Sequence, residues 1–269
     1  MNTELSKFYE ELNTLFKQKN PDNVLLFIEK CIHEAEMNDD KYTLIALNNE
    51  LGGFCRAKGD LVRAKNAYNI VLSLLNELSL YDTANYATAL LNTGDVYINS
   101  KEYTKALEFF LQAKKLFTKL GIVEDYRIAA LNNNISMAYR ELERYEEAED
   151  ALKSALEIIK KMPTRRGDLA TTLVNLGELQ IKQRKFSEAE TTLLRAVNIY
   201  EEKGGIHTHY SSACAALGNL YFLQGKILEA ERYYIKALQL VKRDFGITPY
   251  YQMLEKNLEY VQERKSTHE

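Results

Sequence analysis

The sequence predicts an all-α protein built from repeated antiparallel helix pairs, and three observations carry that prediction. The first is a recurring alanine in GDLVRAKNAY, KEYTKALEFF, ERYEEAEDAL, RKFSEAETTL and GKILEAERYY: Ala64, Ala106, Ala148, Ala189 and Ala230 stand 42, 42, 41 and 41 residues apart. Twelve residues before each lies a small residue (Gly52, Gly94, Ser136, Gly177, Gly218), and seven after each lies another small or modest one (Val71, Ala113, Ala155, Ala196, Ala237). The second is the spacing of apolar residues by three and four on both sides of the small residue, as in TANYATALLNTGDVYINS and YTKALEFFLQAKKLF, which is the period of an amphipathic helix. The third is a short polar break inside each copy: KGD at 58–60, SKE at 100–102, LER at 142–144, QRK at 183–185 and QGK at 224–226. Self-similarity at a fixed period marks a repeat architecture, in which each unit buries its apolar face against the next.

Taken in order, residues 1–39 read as a degenerate N-terminal helix pair, with Asn20 as a helix cap and Pro21 at the first helical position of PDNVLLFIEKCIHEAEM, a place where proline loses nothing. Residues 40–243 hold the five copies. Small residues at the crossing point let the two helices of each pair approach closely. Pro163 falls between copies, so no proline interrupts an expected helix. Thr248-Pro249 repeats the start signal, and residues 247–265 form a last helix that covers the apolar edge of the fifth copy, the remainder fraying. The whole chain, 1–269, reads as one domain.

Composition narrows the function. With 35 basic and 38 acidic residues interspersed for a net charge of −3, the chain has no large single-sign field for nucleic acid. It has no uncharged apolar run of membrane-spanning length and no signal-like start, so a cytoplasmic protein without a membrane partner is expected. Cys31, Cys55 and Cys214 are odd in number, far apart and set among apolar residues, which reads as three small core residues rather than a disulfide or metal framework. His207 and His209 share a loop with no cysteine or carboxylate close by, a weak metal signal. KKMPTRR reads as a solvated basic helix end, and tyrosines such as Tyr68, Tyr103, Tyr145 and Tyr234 as packing residues with hydroxyls reaching water. No phosphate-cradling loop or nucleophile motif occurs, so neither enzymatic activity nor a cofactor is expected.

The repeated residues resemble the tetratricopeptide repeat family, whose signature has a leucine-glycine pair, a tyrosine three residues on, and alanines twelve and nineteen residues after the glycine. The pair is present as Leu176-Gly177 and Leu217-Gly218, the tyrosine as Tyr97, Tyr139 and Tyr221. The family's tryptophan and helix-ending proline are absent, and second helices that run on without that stop account for the long period. Such long repeats look like those of kinesin light chains, LGN-like adaptors and Rap-type peptide receptors. The resemblance implies a right-handed superhelical solenoid whose first helices line a concave face that binds a protein or peptide partner.

That frame gives an address to the run LNNNISMAY at 131–139, since three asparagines are costly in a helix. Two residues before the small position stand Glu50, Asn92, Asn134, Asn175 and Ala216; three before it stand Asn49, Leu91, Asn133, Val174 and Ala215. An amide can donate to and accept from the backbone of an extended peptide, and the asparagine ladder of kinesin light chains and Rap-like receptors is similar. Asn133 and Asn134 are expected to face the groove and Asn132 the helix contact. The alternative is that these amides bond a neighbouring repeat. Further along the same face lie Asp95, Met137, Glu178 and Asn219, then Arg56, Arg140, Lys182 and Phe222, a mixed surface of polar and apolar groups. The lysine needed by the family's carboxylate clamp is missing. Three hypotheses follow: an adaptor that grips a partner's segment, a sensor of a short signalling peptide, and a subunit that self-associates into a homo-oligomer. The sensor is disfavoured by the mere forty or so residues preceding the repeats, because Rap-like regulators carry an N-terminal effector domain.

Overall fold

A computed structural model describes residues 3–17, 21–202 and 209–266, and all regular structure among them is helical. Asn20 and His207, singled out above as cap and metal-ligand candidate, lie outside the described residues. The chain divides into two compact units, Met1–Val123 and Glu124–Glu269.

The first unit holds α1 (Thr3–Lys17), α2 (Pro21–Met37), α3 (Lys41–Lys58), α4 (Leu61–Glu77), α5 (Ala84–Asn99) and α6 (Tyr103–Lys119). The second holds α7 (Tyr126–Glu141), α8 (Tyr145–Lys160), α9 (Arg166–Lys182), α10 (Phe186–Glu202), α11 (Tyr210–Leu223), α12 (Ile227–Phe245) and α13 (Pro249–Ser266). Helices α3 to α12 form five pairs that coincide with the five sequence copies. First helices run 14–18 residues and second helices 16–19, so the long period is shared between both members of a pair.

The turn inside each pair has one geometry. Gly59, Lys101, Glu143, Arg184 and Gly225 all adopt left-handed backbone, with φ between 59° and 81°. The next N–H donates across the helix end, for example Asp60 to Cys55 O at 2.9 Å and Glu102 to Tyr97 O at 2.9 Å. This closure satisfies carbonyls that a helix end otherwise leaves orphaned. Several helices start on a side-chain cap: Asp40, Asp60 and Asp125 accept from Thr43, Arg63 and Arg127 N–H. Thr248 does the same for Tyr251 at the start of α13, as its sequence signal indicates.

Glycine sets the distance between paired helices. A Cβ on Gly52 would stand 2.7 Å from the Tyr68 ring, on Gly94 2.4 Å from Phe110, on Gly177 2.5 Å from Leu193, and on Gly218 3.0 Å from Tyr234. Each of these partners lies sixteen residues on in the facing helix, so absence of a side chain on one helix seats a large one from the other. Ser136 takes this position in α7, and its hydroxyl donates to the Asn133 carbonyl at 2.7 Å, which leaves no buried donor unpaired. Alanines 64, 106, 148, 189 and 230 are all 0% exposed. A peripheral ion pair ties the start of a pair to its end: Lys41 to Glu77 at 2.6 Å, Asp82 to Lys119 at 2.7 Å, Glu124 to Lys161, and Arg166 to Glu202.

In the first unit Phe8, Leu12, Val24, Ile28 and Leu47 join α1 and α2 to α3. In the second, α13 buries Leu254 and Val261 against the last pair, covering its apolar end. Cys55 and Cys214 are core residues, but Cys31 is only half-buried, because its helix belongs to the more open N-terminal pair. Tyr68 and Tyr234 are buried, whereas Tyr103 and Tyr145 are partly exposed. The basic run at 160–166 is largely engaged in ion pairs through Lys161, Arg165 and Arg166.

Candidate binding site

The thirteen groove candidates divide between the units: Asn49, Arg56, Asn92 and Asp95 in the first, and Asn133, Asn134, Met137, Arg140, Asn175, Glu178, Lys182, Asn219 and Phe222 in the second.

In the first unit the asparagines bond each other. Asn92 on α5 donates to Asn49 Oδ1 on α3 at 3.0 Å. Two turns further along, Arg56 faces Asp95, whose carboxyl burial pushes up to about 6 while the guanidinium pulls it back. Arg56 Nε is itself buried and unpaired.

The second unit repeats both contacts at the same copy positions. Asn175 on α9 donates to Asn133 Oδ1 at 2.9 Å, and Arg140 on α7 pairs with Glu178 on α9 and, at 3.0 Å, with Glu141. Only 11% of the Arg140 side chain is exposed, a depth at which a charge must be paired and hydrogen-bonded. The Asn133 amide also donates to Ala129 O at 3.1 Å and to Thr172 Oγ1 at 3.0 Å.

Asn133 is only 8% exposed and its donors and acceptor are engaged by its own helix and the next repeat, yet it lines the cavity on this face. Its side chain leaves α7 toward α9, which buries it at that wall. Asn134, one residue on and half-buried, lines the open side. Asn132 is 1% exposed within the core.

Two adjoining cavities occupy the face of the second unit formed by α7, α9 and α11. One, of about 380 Å³, has Asn133, Asn134, Met137 and Asn175 on its wall, with Tyr126, Asp168 and His209 at its rim. Burial lowers the His209 imidazole and Asp168 opposes that shift. The other, of about 580 Å³, is lined by Arg140, Lys182, Asn219 and Phe222, and closed on its far side by Tyr250, Met253, Asn257 and Tyr260 of α13. Glu178 and Ser212 belong to both. All nine second-unit candidates thus meet on one face. The contribution of α13 is one that sequence reasoning, which treats the last helix only as a cap, does not supply. Among the described residues no group of three His, Cys, Asp or Glu is placed to hold a metal ion, and no helix is long and apolar enough to cross a membrane. The face offers amides, an internally neutralised arginine, an exposed lysine and aromatic edges, groups that hold and orient a ligand.

Fold and face together define a helix-pair repeat protein with a polar first-helix surface. Tetratricopeptide repeat models match residues 42–119, 127–202 and 211–247, more than half of the chain. The chain belongs to the tetratricopeptide repeat family. Response regulator aspartate phosphatase I of Bacillus subtilis (strain 168) is 31% identical over 119 residues, a segment that spans 44% of this chain and 29% of that protein. The apo form of RapI superposes with a TM-score of 0.67 at 16% identity, covering 98% of this chain and 99% of that one. A Rap protein complexed with Competence and Sporulation Factor superposes with a TM-score of 0.66 at 17% identity, covering 96% and 87%. At such identities the structural likeness shows the fold.

Proposed function

We propose that the chain is a non-enzymatic interaction scaffold of the cytoplasm whose second unit holds a peptide segment of a partner across the first helices α7, α9 and α11. The observation that carries this reading is the pair of adjoining cavities, about 380 and 580 Å³, on which hydrogen-bonding side chains of three successive repeats converge. An extended segment needs such a run of amides and short polar groups, whereas a compact cofactor needs one enclosed pocket. Residues 40–243 act as the repeat array, with residues 1–39 and 247–265 as its terminal elements. A second reading, a sensor of a short signalling factor, draws support from the Rap neighbour complexed with Competence and Sporulation Factor; in that case binding changes the shape of the chain.

The test separates grip from stability. Asn134, Lys182 and Asn219 are half-buried or exposed and line the two cavities, so their combined replacement by alanine leaves the fold intact. A peptide selected on the full chain from a displayed random library should lose at least about tenfold in affinity, on the order of 1.4 kcal/mol, with an unchanged urea midpoint. Retained affinity would remove the second-unit face from consideration. A peptide-induced change in radius of gyration by small-angle scattering distinguishes the sensor from the rigid scaffold.

A further inference from the structure

The smaller cavity of the second unit has a counterpart in the first. A cavity of about 320 Å³ is lined there by Tyr42, Ala46, Asn49, Leu75, Asn85 and Thr88. The second-unit cavity is lined at the corresponding positions by Tyr126, Ala130, Asn133, Ile159, Asp168 and Thr171. The members from α3 and α4 recur 84 residues later in α7 and α8, and those from α5 recur 83 residues later in α9. Four of the six are identical, and the other two are Leu for Ile and Asn for Asp. None of the six belongs to the small-residue positions that set the helix crossings; Leu75 and Ile159 are core residues, but Tyr42 and Tyr126 are exposed, so core packing does not dictate the matched tyrosines. The intervening pairs lack the pattern, with Ala84 and Leu91 in α5, and Gly167 and Val174 in α9, where α3 and α7 have tyrosine and asparagine. What recurs is a double pair, including the asparagine bond behind each cavity, Asn49 to Asn92 and Asn133 to Asn175.

We propose that the first unit carries a second binding pocket equivalent to that of the second unit, so that the chain takes two short peptide elements, one in each unit. This rests on the reading that the second-unit face binds peptide. The pockets differ in charge. Asp168 pairs with Arg165 at 3.5 Å, and the same guanidinium lies 4.0 Å from the Tyr126 ring centroid. In the first unit the counterpart of Arg165 is Asp82, held by Lys119 at 2.7 Å, and no charged side chain lines the cavity. It offers amide, hydroxyl and phenol groups around an apolar floor of Val71 and Leu75. That chemistry accepts an uncharged polar side chain, an amide or a hydroxyl, with its adjoining backbone.

The experiment uses the full chain and a peptide selected on it from a displayed random library. Tyr42 is 65% exposed and Tyr126 43%, while Asn85 and Asn134 also reach the surface, so Tyr42→Ala/Asn85→Ala and Tyr126→Ala/Asn134→Ala leave the fold intact, which circular dichroism verifies. Titration calorimetry should give two peptides per wild-type chain and one for either double variant. One peptide per chain, lost only with the second-unit variant, overturns the second pocket and leaves the second-unit site standing. One peptide lost only with the first-unit variant overturns the second-unit site and the equivalence together. Binding indifferent to both variants, or a library without a binder, overturns both readings.

Discussion

Replacing Gly94 by alanine tests the close approach on which each helix pair is built. The added methyl would stand 2.4 Å from Cε1 and 2.6 Å from Cδ1 of Phe110, a ring that is 0% exposed. A rigid ring in a filled core cannot turn aside, so the helices must separate or the ring must leave its rotamer. Overpacking of this kind costs about 1–3 kcal/mol, and contacts this short belong at the upper end. Alanine gains about 1 kcal/mol over glycine in a helix interior, leaving a net loss of about 1–2 kcal/mol. Gly53 provides the control: a methyl there meets only the Tyr68 hydroxyl at 3.6 Å, so Gly53→Ala should stabilise by about 0.5–1 kcal/mol. Urea unfolding followed by far-UV circular dichroism compares midpoints at constant slope. A double-mutant cycle with Phe110→Leu, the residue type that stands at Leu152 opposite the Cβ-bearing Ser136, should show favourable coupling. If Gly94→Ala stabilised the chain as Gly53→Ala does, the small residue would not be setting the helix distance.

Two further outcomes follow from backbone and charge. Lys101, Glu143 and Arg184 hold left-handed backbone at φ 59° to 60°, a conformation that costs a side-chain-bearing residue about 1 kcal/mol, so substitution of each by glycine should raise stability by about 0.5–1 kcal/mol, whereas Gly59→Lys should lower it; equal midpoints would mean that the turn repays the strain locally. Asp95 responds to pH: burial pushes its carboxyl from 3.8 up to about 6, so between these values the folded chain holds a proton that the unfolded chain releases. Stability from this group therefore falls as pH rises through that window and is level above it, by up to about 3 kcal/mol. Asp95→Asn should remove that slope from the denaturation profile between pH 4 and 7, and an unaltered slope would refute the burial of its charge.

The helix pairs are legible in sequence because their determinants are local and repeated. A glycine at Gly177 or Gly218, an alanine twelve residues on and a polar break such as QRK or QGK each constrain one turn or one crossing, and five copies reinforce the same register. The binding face is less legible. Asn133 and Asn134 are adjacent and chemically identical, and both stand on the cavity wall, but only Asn133 is buried there, where the neighbouring repeat's Asn175 bonds it. Periodicity locates the face but does not resolve that difference. Tyr250, Met253, Asn257 and Tyr260 close a cavity from a helix outside the repeat, so no copy-to-copy comparison points to them. Tyr126 and Thr171 do carry a signal, their match to Tyr42 and Thr88, but at a spacing of two copies rather than one.

The two kinds of polar contact carry different information about how such a chain can grow or shrink. The peripheral ion pairs of the first four pairs, such as Lys41 with Glu77 or Asp82 with Lys119, have both partners inside one repeat, so each travels intact with its repeat wherever it is placed. The asparagine bonds join different repeats, Asn49 with Asn92 and Asn133 with Asn175, and a single repeat moved alone would meet Leu91 or Val174 where an amide belongs. Both halves of each bond are preserved when two repeats are gained or lost together. The unit of duplication, recombination or engineered extension in this molecule is accordingly the four-helix block, and single-repeat chimaeras should be the ones that fold poorly.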